Sequence, residues 1–334
     1  MLLPHAEQRG SPMSISIGID LGGTKIAAAA VDLESGALLG RYVAPTEAHE
    51  GPPAVMERMA QVVDMVITQA RLTRAQISAL GVGVPGVIDP NSGTTVLLPN
   101  LATGWRGVTV VAEMRRLTNL ATALVNDARA FTLAEATLGA GKGARTVVGV
   151  TLGTGIGGGI AVDGRIQLGI NMTAGEIGHM TIDPFGPPCG CGNRGCLESF
   201  ASGTAIAAQG AFAVIRGYTT SIGELVGRDI NKITPATILQ AAQQGDAVAS
   251  EILERCGTYL GVGLANLVTV ISPEKIVVGG GTAQLGEWIL GPARREIEKR
   301  CFMTPLEHVA VVRAIIQDAG IVGAAVWADQ QVRG

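Results

Sequence analysis

Gly18-Ile-Asp20-Leu-Gly22-Gly23-Thr24-Lys25 aligns without a gap on Gly149-Val-Thr151-Leu-Gly153-Thr154-Gly155-Ile156, and the match runs on to Val31-Asp32 against Val162-Asp163. An internal echo constrains a fold strongly, because both copies must build the same unit. Each copy reads as an apolar strand, a Gly/Thr loop, a second strand, a turn and a third strand. The turns are Glu34-Ser-Gly36 and Asp163-Gly164, compositions that join antiparallel strands. The chain is therefore expected to form two related lobes, each opening on a β-meander. Helices follow the meanders. Val55, Met59, Val62, Val63, Val66 and Ile67 recur at helical spacing, a second helix is expected over 128–138, and another from about Ala247 to before Pro273. Strand-like runs at 79–84, 122–125 and 275–278 complete an α/β pattern. No low-complexity linker separates the lobes, so the junction near 124–127 is expected to be a short hinge.

A length of 334 residues suits two domains of ordinary size. Hydrophobic residues make up 47% of the chain and aromatics only 3%, so the cores must be built from Val, Ile, Leu and Ala. The net charge of −3 and the absence of a Lys/Arg-rich run give no footprint for nucleic acid or an anionic membrane. Residues 1–13 carry no continuous apolar segment and read as a flexible extension, with Met13 an alternative start, which argues against secretion. The longest uncharged stretch, 146–162, is too rich in glycine for a membrane span.

One imidazole and three thiols fall within about two dozen residues: Glu176-Ile-Gly-His179, then Cys189-Gly-Cys191-Gly-Asn-Arg-Gly-Cys196-Leu-Glu198. His179, Cys189, Cys191 and Cys196 form the ligand set of a closed tetrahedral zinc site. Glu176 and Glu198 flank the ligands, so a metal there would fix where both carboxylates point. A folding clip with two solvated acids is the plainer alternative. Cys256 and Cys301 read as ordinary buried thiols, and this cysteine usage suits a reducing cytoplasm.

The two Gly/Thr loops invite a phosphate reading, because backbone N–H groups in tight glycine turns make concavities for anions. The order Gly22-Gly23-Thr24-Lys25 is not a Walker A loop. Gly153-Thr154-Gly155-Ile-Gly157-Gly158 satisfies the dinucleotide spacing, but a strand rather than a helix follows it, so that reading is rejected. Asp20 occurs only in the first copy and suits a magnesium-side acid, or a turn-forming Asp. Gly279-Gly280-Gly281 either lets the backbone approach a flat ligand such as adenine or turns the chain into the next helix. Asp127, just beyond a strand, is either a helix N-cap or a functional acid at the end of a sheet where α/β folds bind ligands.

Assembled, these residues resemble the ROK family, which groups sugar kinases with related sugar-responsive repressors. The resemblance runs from residue 14 to about 328 and rests on Asp20-Leu-Gly-Gly-Thr-Lys25, Val82-Gly-Val-Pro-Gly86, Leu98-Pro-Asn100-Leu, Asn126-Asp127-Ala, Leu152-Gly-Thr-Gly-Ile-Gly-Gly-Gly159, Gly175-Glu-Ile-Gly-His179 and the Cys189-to-Glu198 segment. It implies a two-lobed actin/hexokinase-like ATPase fold, α/β in class, built from duplicated ribonuclease-H-like domains with nucleotide and sugar in a cleft. A small lobe would cover 14–125 with a returning C-terminal helix over 319–330. A large lobe over 126–318 would hold a structural zinc site and nucleotide-binding loops.

By the same resemblance, Asp127 is the catalytic base, and Asn100, Asp127, Glu176, His179 and Glu198 contact sugar. Asp20, Gly22, Gly23, Thr24, Lys25, Gly153, Thr154, Gly155, Gly279 and Gly280 serve ATP and Mg²⁺, while His179, Cys189, Cys191 and Cys196 hold Zn²⁺. The pattern looks most like bacterial glucokinases, which phosphorylate the 6-hydroxyl of glucose in the cytoplasm. N-acetylmannosamine, fructose, mannose and allose are the alternative sugars, and a homodimer or dimer of dimers is implied. Two departures lie near the expected sugar pocket: Asn100-Leu-Ala-Thr-Gly-Trp105 is one residue longer than usual, and Arg129 replaces a commonly small or amide residue. A repressor of the family would need a helix-turn-helix upstream, where about thirteen residues precede the first strand. A non-catalytic sugar-sensing protein is the other rival, and intact Asp20, Lys25 and Asp127 argue against it.

Overall fold

The computed structural model describes residues 14–98, 101 and 104–333. Strands β1 (Ile15–Leu21), β2 (Lys25–Asp32) and β3 (Leu38–Pro45) form the first meander. Helix α1 (Pro52–Ala70) begins on two prolines and buries Val55, Met56, Met59, Val62, Val63, Val66 and Ile67, the face its periodicity marked out. Strand β4 (Ile77–Val84) is followed by the short hairpin β5 (Val87–Asp89) and β6 (Thr94–Leu97), then α2 (Val110–Thr118) and β7 (Thr122–Asn126). Helix α3 (Asp127–Thr137) starts directly at the end of β7.

The second half opens in the same way with β8 (Thr146–Leu152), β9 (Ile156–Val162) and β10 (Arg165–Ile166). Helices α4 (Glu198–Ala201), α5 (Gly203–Ile215), α6 (Ile222–Leu225), α7 (Pro235–Gln243) and α8 (Ala247–Ile271) follow. Strand β11 (Lys275–Gly279), α9 (Glu287–Arg300), β12 (Ala310–Arg313) and α10 (Ala319–Arg333) complete the chain.

The echo in sequence is an echo in topology. One five-stranded sheet has the order β3-β2-β1-β4-β7 and the other β10-β9-β8-β11-β12. In each, the meander is antiparallel and the last two strands run parallel to the first. The turn Asp163-Gly164 has positive φ at both residues, 50° and 70°, as a two-residue hairpin requires. The packing forms two units. One ends at Ala130 and resumes at Asp318; the other is Phe131–Gln317. The first boundary lies one turn into α3, because that turn packs within the first unit: a Cβ on Gly323 would lie 1.7 Å from the Ala130 carbonyl oxygen. Each unit has its own apolar core, dominated by Ile, Val, Leu and Ala.

Helices sit so close to the strands that only glycine fits beneath them. A Cβ on Gly18 in β1 would lie 1.9 Å from the Ile321 carbonyl oxygen, and one on Gly81 in β4 would lie 1.8 Å from that of Ala324, both in α10. The equivalent glycine of the second copy, Gly149 in β8, faces Thr132 of α3, where a Cβ would lie 2.2 Å from Oγ1. Among the described residues no helix is long and apolar enough to cross a membrane. The clashing partner at Gly81 is helix backbone, which has little freedom to move. Gly81→Ala is therefore expected to destabilise the first unit by at least about 1–3 kcal/mol, read as a lowered urea midpoint. An unchanged midpoint would show that α10 is not seated on β4 this closely.

Candidate functional site

The turn Ile177–His179 is a single 3₁₀ turn seated on β9. Glycines permit the contact: a Cβ on Gly178 would lie 2.0 Å from the Ile156 carbonyl oxygen, and one on Gly175, at φ +90°, would lie 2.9 Å from the Gly159 Cα. Past Thr181 the chain folds back, and Thr181 bridges Cys196 while Pro188 bridges Arg194. Gly195 makes this return possible, with φ +68° and no room for a Cβ, which would lie 1.6 Å from the Asp183 carbonyl oxygen. The fold thus brings His179, Cys189, Cys191 and Cys196 together, with their ligand atoms all within 4.8 Å of one another. Cys189 Sγ lies 3.7 Å from His179 Nδ1, and Cys191 Sγ lies 3.7 Å from Cys196 Sγ.

This donor set fits a tetrahedral zinc ion closed by four protein ligands. Burial pushes the Cys196 thiol up to about 12, and the neighbouring Cys189 and Cys191 raise it further. The backbone N–H of Asn193 holds the exposed Cys191 below its ordinary value. Thiols this crowded resist ionising together unless a cation compensates them, which is what a bound metal supplies. Asn193 was not singled out from sequence. Its Nδ2 donates to Thr181 Oγ1 at 2.8 Å and reaches Cys196 Sγ at 3.6 Å, a support for a ligand of the kind metal sites use. Its position between two ligand cysteines was the available signal.

The two acids flanking the ligands differ. Glu176 is exposed, and its carbonyl accepts the His179 N–H at 3.1 Å. Glu198 opens α4 and turns back onto the second Gly/Thr loop, where Oε2 accepts the Ile156 N–H at 2.8 Å. Its Oε1 lies 4.0 Å from Cys189 Sγ. Gly153 has nothing within 4 Å of a built Cβ, whereas a Cβ on Gly155 would lie 2.2 Å from Glu198 Oε2. In the third glycine cluster, a Cβ on Gly279 would meet the Phe131 ring at 2.5 Å and one on Gly280 the Leu152 carbonyl oxygen at 2.4 Å, while Gly281 faces open space. Close packing accounts for the first two, and Gly281 is the member with room for a ligand.

In the first unit, the loop between β1 and β2 is closed by the Gly22 N–H on the Lys25 carbonyl at 2.9 Å and by Thr46 Oγ1 on the Gly22 carbonyl at 2.7 Å. Thr24 and Lys25 are exposed at its tip, beside Gly23. Burial raises the Asp20 carboxyl above its ordinary value; Lys25 opposes the shift and Asp318 adds to it. An acid whose charge is disfavoured in this way gains from a nearby cation, which suits magnesium. Asp318 was missed from sequence, and it is held by two bonds from Arg41, Nε to Oδ2 at 2.7 Å and Nη2 to Oδ1 at 3.0 Å.

Asp127 is the first residue of α3, but the cap belongs to its neighbour. Asn126 Oδ1 accepts the Arg129 N–H at 3.1 Å, and Asn126 Nδ2 donates to the Gly86 carbonyl and to Asp127 Oδ1, each at 3.0 Å. Asp127 Oδ1 also accepts the Ala128 N–H at 2.8 Å. Arg129 is 2% exposed. Asn100 lies outside the described residues.

The metal reading has a direct check. Elemental analysis of the purified protein should return about one zinc per chain, and Cys191→Ser should lower that content sharply. A fully folded wild type with no bound metal at any stage of purification would remove zinc from the structure.

The ROK family description matches residues 16–331 of this chain. A glucokinase of Halalkalibacterium halodurans is 32% identical over 94% of this chain and 95% of its own. The solved ROK hexokinase of Thermus thermophilus superposes with a TM-score of 0.81 at 33% identity, over 96% of this chain and 99% of that one. A ROK family glucokinase of Streptomyces griseus, solved with glucose and AMPPNP, superposes with a TM-score of 0.79 at 32% identity, over 95% and 100% of the two chains. With the family description matched over nearly its whole length, this chain belongs to the ROK family.

Proposed function

We propose that this protein is an ATP-dependent hexose kinase that transfers the γ-phosphoryl group of ATP to the 6-hydroxyl of glucose. The observation that carries this reading is Asp127. Asn126 Oδ1 takes the Arg129 N–H of α3, so the capping of that donor does not call for the acid at the next position, which stands at the carboxyl end of a parallel strand where α/β folds bind ligands. Near-full-length likeness to glucokinases supports both the reaction and glucose as the sugar.

A sugar hydroxyl is a weak nucleophile. As its oxygen bonds to the γ-phosphorus and the bond to the β,γ-bridging oxygen breaks, the hydroxyl proton passes to the Asp127 carboxylate and ADP departs. Lys25 and the N–H groups of the two glycine loops stabilise phosphate charge. Asp20 would serve a magnesium ion, which would supply further neutralisation when bound. Glu176, Glu198 and His179 present acceptors and an imidazole to neighbouring sugar hydroxyls, and orientation is most of the work in phosphoryl transfer. With Nδ1 turned to the cysteines, the His179 ring has Nε2 on its other side for this task. His179, Cys189, Cys191 and Cys196 would hold a zinc ion that contributes geometry alone, because four protein ligands leave no position for activating water.

Coupled measurement of ADP release over a panel of hexoses tests the reading, with glucose expected to give the highest kcat/KM. If no hexose stimulates magnesium-dependent ADP release from zinc-replete protein, the kinase assignment fails. Asp127→Asn is expected to lower kcat by about 10²–10⁴-fold while sugar binding persists. A variant keeping half or more of the wild-type kcat would remove Asp127 from the role of base.

A further inference from the structure

We propose that Arg41 is a positioning residue that holds Asp318 away from the magnesium ion, leaving Asp20 as the single carboxylate of the first unit to meet it. The proposal rests on the reading of Asp20 as the magnesium-side acid, and its geometry lies wholly within the first unit.

Gly18 in β1 pairs with Ala29 in β2, and Ala29 pairs with Arg41 in β3, so the three share one face of the sheet. Helix α10 lies on that face, over Gly18. With only small residues between, the long Arg41 side chain reaches from the edge strand to the start of α10. There its guanidinium donates to both oxygens of Asp318, Nε to Oδ2 at 2.7 Å and Nη2 to Oδ1 at 3.0 Å. A planar fork matched to a carboxylate in this way gives each oxygen a charged donor. Asp318 stands at φ +53°, and its carbonyl accepts the Ile321 and Val322 N–H groups at 2.9 and 3.1 Å, which fixes it to the first turn of α10.

Asp20 occupies the next position on the same face. Its partners in register are Ala27 and Gly83, and a Cβ on Gly320, just past Asp318, would lie 3.3 Å from its Cγ. These neighbours carry no polar side chain, and among the described residues no hydrogen bond reaches the Asp20 carboxylate. Burial is the main influence against its charge; Lys25 favours the charge and Asp318 opposes it. Two acids so placed would ordinarily draw a divalent cation between them, because affinity grows with the number of charged ligands. Arg41 compensates one of the two. An ion at Asp20 would then depend on phosphate oxygens for the rest of its neutralisation, and would come and go with the nucleotide.

Manganese is the probe, since it shares the preference of magnesium for carboxylate, water and phosphate oxygens. Loss of the free Mn²⁺ resonance signal measures its binding to full-length, zinc-replete protein without nucleotide or sugar. Arg41→Met, which keeps a long stem over Ala29, should bind Mn²⁺ about tenfold more tightly than wild type. Arg41→Lys, whose point charge cannot hold both oxygens at once, should shift affinity the same way by a smaller factor. Adding Asp318→Asn to Arg41→Met should restore wild-type affinity, and adding Asp20→Asn should abolish the gain. A half-exposed ion pair adds little to folding, so these variants are expected to fold, which circular dichroism checks. A clasp that only anchored α10 would leave Mn²⁺ binding no tighter in any of them. Wild-type affinity in folded Arg41→Met or Arg41→Lys overturns the proposal, as does a gain that survives the loss of either acid. Because this binding needs no nucleotide, a protein that phosphorylates no hexose sinks the kinase reading while the Mn²⁺ affinities still decide the role of Arg41.

Discussion

Each sheet of this protein depends on a helix pressed against its first strand at a glycine. Gly18 in β1 lies under the Ile321 carbonyl of α10, and Gly149, its counterpart in β8, lies under Thr132 of α3. The helices reach these seats by opposite routes: α3 follows the last strand of the first sheet, and α10 follows the last strand of the second. A side chain at either glycine would lift a helix off the strand that carries a Gly/Thr loop at its end. The spacing between helix and strand therefore governs where Asp20 and the loop at 153–156 lie within their own units. Gly320 shows the same economy of space, because a Cβ there would lie 3.3 Å from the Asp20 carboxyl.

The second unit assembles chemistry by a different rule. Its Cys/His cluster lies on irregular chain, and the loop from Ile182 to Gly195 is held by few backbone bonds, among them Cys189 N–H to the Asn193 carbonyl at 2.8 Å and Gly195 N–H to the Pro187 carbonyl at 2.8 Å. Such a loop has little apolar area with which to offset the entropy of ordering it. A metal fits that role, since its binding free energy is also folding free energy for the segment. The ligands at its end lead straight into Leu197 and α4, so order in the loop is passed to the core through buried residues rather than through solvent.

The sequence made much of this legible, for physical reasons that differ by element. The meanders were readable because both copies set apolar strands between glycine-containing turns, and α1 and α8 because their apolar faces recur over many turns. The clustering of His179 with Cys189, Cys191 and Cys196 was readable because thiols and imidazole at short spacing have few other uses. The short helices α4 and α6 were not readable, being a single turn each with no period to detect. The first-unit boundary within α3 was hidden as well, since it depends on which helix Ala130 touches. The bond from the Ile156 N–H to Glu198 left no trace, because a backbone donor has no letter of its own. Gly279 and Gly280 carried an ambiguous signal: glycine marks close approach equally to a ligand, to the Phe131 ring or to the Leu152 carbonyl.

The central claim is that one sugar oxygen receives the γ-phosphoryl group of ATP. Phosphorus NMR of the protein incubated with ATP, Mg²⁺ and glucose measures that transfer directly. The account predicts glucose 6-phosphate and ADP appearing in equal amounts, with inorganic phosphate a minor product. Inorganic phosphate as the main product, phosphate on another hydroxyl, or no consumption of ATP would contradict it.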